Sequence, residues 1–194
     1  MYSTCSGHLH VFKNDYVYDV DNTVSIIETN PTGLGEAGFS VNGKAIQIRS
    51  IPGTSLLISL SHQSCADGAF LTFNNNDVNL HIVELKTTVK NSNWPDILKQ
   101  FEGMFLCSVA ITKLLGLASI ANVTCYLAHK NNKVNFPNGA QLILAKTPVG
   151  GRSTMGGMRE WHTKQLNLPF KTSASIVLGA MLGANNSANF GAVV

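Results

Sequence analysis

The sequence predicts an α/β protein with a mixed central β-sheet flanked by helices, and three consecutive patterns support this prediction. Two apolar runs, Ala69–Phe73 and Val78–Leu85, flank the polar segment Asn74–Asp77, which is typical of a β-hairpin. Apolar residues then recur at helical spacing over Pro95–Leu115, and Val123–Ala128 has the composition of a further strand. A strand–helix–strand order is characteristic of an α/β core.

Further strands are predicted before this hairpin. The segment FSVNGKAIQIRS contains Asn42-Gly43, the strongest short hairpin signal, so we expect two strands joined there. The run SLLISLSHQ, which follows a turn, predicts a buried strand. Near the start, VFKNDYVYDV favours a hairpin with an Asn-Asp turn, and the apolar-periodic run Thr23–Glu28 is a candidate short helix.

The predicted helix over Pro95–Leu115 has a defined start and a defined buried face. Asn93 is a credible N-cap, Pro95 suits the first turn, and Asp96 is favourable to the helix dipole. The residues expected to face the sheet share helical spacing: Ile97, Phe101, Met104, Phe105, Ser108 and Val109. Beyond Val123–Ala128 we expect a strand at Leu142–Ala145, and a final helix in the apolar tail from Ser173.

The hairpin register places three charged side chains together. If Asn74–Asp77 is the loop, Phe73 pairs with Val78 and Asp67 falls opposite Glu84, with Cβ atoms roughly 5 Å apart. Lys86 lies two residues beyond Glu84, so the strand period puts it on the same face. Two opposed carboxylates repel, and a divalent cation such as Mg²⁺ is the simplest reason to keep them together. With a lysine beside it, this set of groups suits metal-assisted hydrolysis of a phosphodiester.

Asp67, then Glu84-Leu85-Lys86 on the next strand, then a helix, resembles the PD-(D/E)XK nuclease superfamily with its restriction-endonuclease-like core. The resemblance implies that Asp67 and Glu84 bind Mg²⁺ or Mn²⁺ and that Lys86 assists the attacking water. It also implies a role for a glutamine on the following helix, which here is Gln100; the same residue is otherwise a surface glutamine. In this family a first helix often adds an acid to the metal site, and Glu28 and Glu36 are the candidates; each is otherwise a surface glutamate.

The resemblance covers about residues 23–128, and we expect one domain over residues 1–194 with a basic elaboration over about 129–194. It implies a metal-dependent endonuclease, with DNA a commoner substrate than RNA in this family. Cutting both strands would require a homodimer, since one such site cuts one strand at a time. The alternative is a non-catalytic subunit that binds nucleic acid or protein on the same fold, with the acid–lysine cluster as a salt-bridge network.

Charge is distributed unevenly along the chain. Residues 1–84 carry three Lys or Arg against eight Asp or Glu, a net charge of −5, whereas residues 85–194 carry eleven against three, a net charge of +8. A basic half beside an acidic site suits a protein that binds polyanions. The candidate contacts to a nucleic-acid backbone are Lys90 in a polar loop after Lys86, Arg152 in the loop PVGGRSTMGG, and Lys164. These segments are otherwise plain surface loops.

Composition sets the remaining expectations. Hydrophobic residues make up 44% of the 194 residues and charged residues 13%, which is not the composition of a disordered chain. No run of 18 apolar residues exists and no signal peptide is evident, so we expect no membrane span and a cytoplasmic location. The four cysteines are widely spaced, which favours buried free thiols over zinc ligands. His8 and His10 would share one face of a strand, either as metal ligands or as part of an edge strand.

Overall fold

The computed structural model describes residues 7–28, 35–50, 64–75, 77–137, 156–183 and 185–193, and these form one mixed eight-stranded sheet with a long helix against one face. In chain order the elements are β1 (Val17–Ile27), β2 (Glu36–Arg49), β3 (Gly68–Asn74), β4 (Asp77–Lys90), α1 (Trp94–Leu114), β5 (Ile120–Lys133), α2 (Met158–Thr163), β6 (Gln165–Leu168), β7 (Thr172–Ala180) and β8 (Ser187–Val193). A short 3-10 turn, Leu9–Val11, precedes β1. Within these described ranges, no helix is both long and apolar enough to cross a membrane.

The sheet follows the order β1-β2-β3-β4-β5-β7-β6, with β8 paired to the free half of β2. Each neighbouring pair from β1 to β4 is antiparallel, β5 runs parallel to β4, and β7 runs parallel to β5. Because parallel neighbours need a crossover, α1 links β4 to β5 across one face of the sheet. The predicted α/β class and the predicted strand–helix–strand order are therefore confirmed.

The predicted hairpin is β3–β4, and its register is the predicted one. Phe73 pairs with Val78 and Gly68 with Val83. Asn74 also pairs with Asp77, so the loop is tighter than expected, and Asn75 takes a positive φ of 53° within it. Asparagine tolerates this left-handed conformation better than most residues, which explains why the Asn-rich segment turns here.

Helix α1 covers the first of two hydrophobic clusters. Five of the six residues predicted to face the sheet are buried and Val109 is partly buried against the same cluster, so the predicted stripe is confirmed. Asn93 does occupy the N-cap position, but its side chain serves the preceding turn instead of the helix. Its Oδ1 accepts from the Lys90 N–H at 2.9 Å and its Nδ2 donates to the Thr88 carbonyl at 3.0 Å.

The second hydrophobic cluster contains Phe39 and Tyr126, with Phe190 packed against it, and it shows that the sheet curls over the face opposite α1. The Phe39 ring of β2 lies 4.9 Å from the Tyr126 ring of β5 and 5.1 Å from the Phe190 ring of β8. In a flat sheet, β2 and β5 would stand roughly 14 Å apart, because neighbouring strands are about 4.8 Å apart. The contact therefore requires β2 to bend over the face opposite α1.

That bend sits at the Asn-Gly pair, where the predicted hairpin is wrong. Strand β2 continues from Glu36 to Arg49 without turning back, and its pairing with β1 jumps from Asp21↔Lys44 to Thr23↔Ser40. Residues 41–43 of β2 thus face the single residue Asn22 of β1, and Gly43 has a φ of +81°. The local signal for a positive φ is present, but the chain uses it for a bulge that bends a continuous strand.

Three other local predictions are also wrong. Thr23–Glu28 belongs mostly to β1 and is not a helix. The segment VFKNDYVYDV runs from the last residue of the 3-10 turn to the start of β1 and does not form a hairpin. The tail from Ser173 forms β7 and β8 instead of a helix; in β7, Ala174 and Ile176 alternate with exposed or half-buried residues. Period-two burial against β5 outweighs helix propensity there. The predicted strands SLLISLSHQ and Leu142–Ala145 lie outside the described residues.

Candidate functional site

The β3–β4 register brings Asp67 and Glu84 together at the start of β3. Because Gly68 pairs with Val83, Asp67 lies opposite Glu84. The Asp67 N–H donates to Glu84 Oε2 at 3.2 Å, and the Leu85 N–H donates to Asp67 Oδ2 at 2.8 Å. Each carboxylate is thus held by the backbone of the opposing strand, which fixes the two acids relative to one another.

Lys86 completes the acid–lysine cluster of Asp67, Glu84 and Lys86. Its ammonium forms an ion pair with Glu84 Oε1. The Glu84 side chain is fully buried, whereas the Lys86 side chain is 27% exposed. The lysine therefore lies on the solvent side of the buried carboxylate.

The electrostatics of the cluster favour a cation at the two acids. Burial, reinforced by the charge of Asp67, raises the pKa of Glu84 to about 8 even though Lys86 opposes the shift. Burial likewise raises the pKa of Asp67, against the Leu85 hydrogen bond and the charge of Lys86. Burial acts to lower the pKa of Lys86, but the charge and hydrogen bond of Glu84 raise it overall. One lysine therefore does not compensate two buried acids, and the donor set suits a hard divalent cation.

A third acid lies near the cluster, and it is Glu28. Burial raises the pKa of Glu28, the charge of Asp67 raises it further, and Lys86 lowers it, so Glu28 is within electrostatic reach of both. Glu36 instead accepts a hydrogen bond from Ser25 Oγ at 2.5 Å. Of the two candidates that the sequence left open, Glu28 is the one beside the cluster. Across the described part of the chain, however, no three His, Cys, Asp or Glu side chains are arranged to hold a metal ion.

The segment leading into Asp67 is fastened to α1 by what we call the clasp, in which residues 64–66 lie along Gln100, Gly103 and Cys107. The Ala66 N–H donates to the Gln100 carbonyl at 3.1 Å, and Gln100 Nε2 donates to the Cys65 carbonyl at 3.5 Å. A Cβ on Gly103 would lie 1.9 Å from the Ser64 carbonyl oxygen, so only glycine admits this approach. Gln100 thus lies beside the candidate site, but its amide is bonded to backbone and not to the carboxylates.

Of the three candidate nucleic-acid contacts, the structure describes Lys90 and Lys164, and neither lies at the acid–lysine cluster. Lys90 is exposed at the end of β4, which extends through the segment predicted as a polar loop and pairs Lys90 with Lys133 of β5. Lys164 precedes the edge strand β6. Its Nζ donates to the Trp161 carbonyl at 2.5 Å and lies 3.9 Å from the centre of the Trp161 ring. Arg152 lies outside the described residues.

Two features of the site have no clear signal in the sequence. His129 pairs with Lys86 in the parallel β4–β5 ladder, and its Nδ1 is buried without a hydrogen-bond partner among the described residues. The second feature is the approach of the Cys65 and Cys107 sulfurs to 3.7 Å. His8 and His10, by contrast, do not share a strand face: His8 is at the N-cap of a 3-10 turn, and His10 lies within that turn and bonds to the Gly7 carbonyl.

A separate polar groove of about 810 Å³ lies nearer the start of β4. Its lining includes Asn79, His81, Asn122, Thr124 and Ser175. The two asparagines bond to each other at 2.9 Å, and the His81 ring bonds to Thr72 at 3.0 Å. Burial lowers the pKa of His81 to about 4, so the imidazole is neutral at neutral pH. The groove offers amides and hydroxyls but lacks the paired acids of the cluster.

Comparison of the chain with models of protein families, with curated proteins and with solved structures gives no match. The chemistry of Asp67, Glu84 and Lys86 is therefore the basis for a functional conclusion.

Proposed function

We propose that this protein is a metal-dependent nuclease that hydrolyses phosphodiester bonds in nucleic acid, with a site of the PD-(D/E)XK type. The observation that carries the proposal is the buried Asp67–Glu84 pair, cross-bonded through backbone N–H groups, with Lys86 two residues along the same strand. The order of hairpin, Glu-x-Lys strand and following helix supports a restriction-endonuclease-like core.

Asp67 and Glu84 would hold Mg²⁺ or Mn²⁺, which when bound supplies a Lewis acid for the phosphodiester and lowers the pKa of a coordinated water. The metal would bind ionised Glu84, and because the pKa of Glu84 is raised to about 8, protons would compete with the metal in the neutral range. Lys86, which forms an ion pair with Glu84, would orient the water and offset negative charge that develops on the phosphate. Gln100 positions the backbone that carries Asp67 through the Cys65 carbonyl.

The substrate and assembly follow from the same proposal. DNA is the preferred substrate, with RNA second, and the basic second half of the chain would contact its backbone through Lys90, Arg152 and Lys164. Among these, Lys90 has the best support because it is exposed on the same strand as Glu84 and Lys86. Cleavage of both strands would need a homodimer, and we place the enzyme in the cytoplasm.

The first test is calorimetric titration of Mn²⁺ into the wild type, Glu84→Gln and Glu36→Gln. The two variants carry the same chemical change, but Glu36 bonds to Ser25 outside the cluster. We expect binding in the wild type and in Glu36→Gln, and its loss in Glu84→Gln. No binding by the wild type would refute the metal site.

The second test measures metal-dependent nicking of plasmid DNA and cleavage of labelled RNA by the wild type and Lys86→Met. The methionine keeps the length of the side chain without its charge, so we expect Mn²⁺ binding to survive and cleavage to fall by at least about 100-fold. Wild-type protein that binds Mn²⁺ but cleaves neither polymer would contradict the catalytic assignment.

The alternative function is a non-catalytic nucleic-acid- or protein-binding subunit. The complete burial of Glu84 beneath its ion pair with Lys86 favours it, because that pair can act as a structural element without metal. In that case nucleic acid would bind equally to the wild type and to Glu84→Gln, with no metal requirement in a filter-binding assay.

A further inference from the structure

Two cysteines from distant parts of the sequence meet inside the clasp. The Sγ atoms of Cys65 and Cys107 are 3.7 Å apart, although the residues are separated by 42 positions. Both are free thiols, as is Cys125, which lies fully buried in β5. The pair therefore has two sulfurs in contact across the junction of the Asp67 segment with α1.

The surrounding backbone is already arranged for a covalent link. A disulfide needs its sulfurs about 2.05 Å apart, so the sulfurs must approach by less than 2 Å. The Ala66–Gln100 hydrogen bond and the close passage of Ser64 over Gly103 hold the two backbones together on either side of Cys65. Side-chain rotation with a small shift of the segment is then sufficient to close the bond.

We propose that Cys65 and Cys107 form a reversible disulfide bond that fastens the segment leading into Asp67 to α1. The oxidant is a low-molecular-weight disulfide. The Cys65 sulfur attacks it, forming a mixed disulfide and releasing one small thiol that carries away the Cys65 proton. The Cys107 sulfur then attacks the Cys65 sulfur, and the second small thiol leaves with the Cys107 proton. The two cysteines are oxidised by two electrons and the small disulfide is reduced by two.

The order of attack follows from access. Cys65 is half-buried, whereas Cys107 is only 2% exposed. A small disulfide in solution therefore reaches Cys65 first, and Cys107 is the internal thiol that resolves the intermediate. The same access lets a small thiol reverse the reaction at Cys65.

The bond has a consequence for the candidate site, and this part rests on the proposed function. Asp67 follows Cys65 by two residues and is aligned with Glu84 by hydrogen bonds of 3.2 and 2.8 Å. A metal site tolerates displacements of only about 0.5 Å, so drawing Cys65 toward α1 disturbs the alignment. We expect the oxidised protein to bind Mn²⁺ on the order of fivefold more weakly than the reduced protein.

The experiment treats the reduced full-length protein with oxidised glutathione, alkylates the remaining thiols and maps tryptic peptides without reduction. The expected product links the peptide of residues 50–86 to that of residues 100–113. Cys65→Ser and Cys107→Ser abolish the linked peptide, and Cys125→Ser, which removes a thiol outside the clasp, retains it. The bond should also raise the wild-type Tm, by on the order of 10 °C from closure of a loop of this size.

Wild-type protein in which Cys65 and Cys107 both remain alkylatable, or in which glutathione stays on Cys65, would overturn the proposal. These readouts need no metal, so they are independent of the nuclease proposal. Calorimetry with Mn²⁺ on both redox forms then tests the coupling. Equal affinity in the two forms would refute the effect on Asp67, whereas no affinity in either form would refute the metal site and leave the disulfide standing.

Discussion

The acid–lysine cluster gives a pH dependence of stability that can be isolated with one substitution, Glu84→Gln. Burial raises the pKa of Glu84 from an ordinary 4.5 to about 8 in the folded chain. Between these two values the folded state holds a proton that the unfolded state has lost. The stabilisation is therefore fully present below about pH 4.5 and is lost as the pH rises through about 8.

The size of this loss follows from the shift. One pKa unit corresponds to 1.36 kcal/mol. The shift of the Glu84 pKa therefore lowers the unfolding free energy of the wild type by up to about 5 kcal/mol as the pH rises from about 4.5 to about 8. Glutamine has nearly the shape of a protonated glutamic acid and cannot ionise. Glu84→Gln should therefore be close to the wild type in stability near pH 4.5 and more stable than it near pH 8.

The assay is urea unfolding of the wild type, Glu84→Gln and Glu36→Gln in chelator-treated buffer at several pH values across the window. Glu36→Gln makes the same chemical change in a carboxylate that bonds to Ser25 outside the cluster, and it is the matched control. If Glu84→Gln also runs parallel to the wild type at every pH, Glu84 ionises normally and the electrostatic basis of the metal site is wrong. Saturating Mn²⁺ should stabilise the wild type most at the upper end of the window, since the metal takes the place of the proton.

Two further predictions concern the fold around the site. Gly103→Ala should lower the free energy of unfolding by about 1–3 kcal/mol, because its Cβ would lie 1.9 Å from the Ser64 carbonyl oxygen. Gly38→Ala is the matched control in urea unfolding, because a Cβ on Gly38 would lie 4.0 Å from the Ala188 carbonyl oxygen, an ordinary contact distance. A loss no larger than that of Gly38→Ala would contradict the close packing of the clasp. His81 acts with the opposite pH sign to Glu84: its pKa is lowered by burial to about 4, so its stabilisation is present above about pH 6.5 and falls by about 3 kcal/mol as the pH drops through 4. His81→Gln should lack this acid-induced loss in urea unfolding across the same window, and an unchanged loss would show that His81 is not its source.

Features that depend on neighbouring residues could be predicted from the sequence alone. Period-two apolar runs on either side of an Asn/Asp cluster are local information, and they were sufficient for the β3–β4 register. That register places Asp67 opposite Glu84. Asn93 and Pro95 likewise marked the start of α1, because N-terminal helix preferences depend on only a few consecutive residues.

Features that depend on pairing between distant strands could be known only from the tertiary structure. Asn42-Gly43 offers a positive φ in any context, and only the simultaneous pairing of β2 with β3 and β8 makes it a bulge within one strand. The tail from Ser173 became strands because β5 presented an unpaired edge for β7. In both cases the local preference allows two outcomes with similar free energies, and distant partners select one.

The same division applies to the candidate site. Asp67, Glu84 and Lys86 lie within one hairpin, so their proximity could be predicted from residue numbers alone. Glu28 reaches them from β1, and Cys107 reaches Cys65 from α1, through contacts between elements that are far apart in the chain. No local pattern encodes such distances, because they are set by how the sheet curls and where α1 packs upon it.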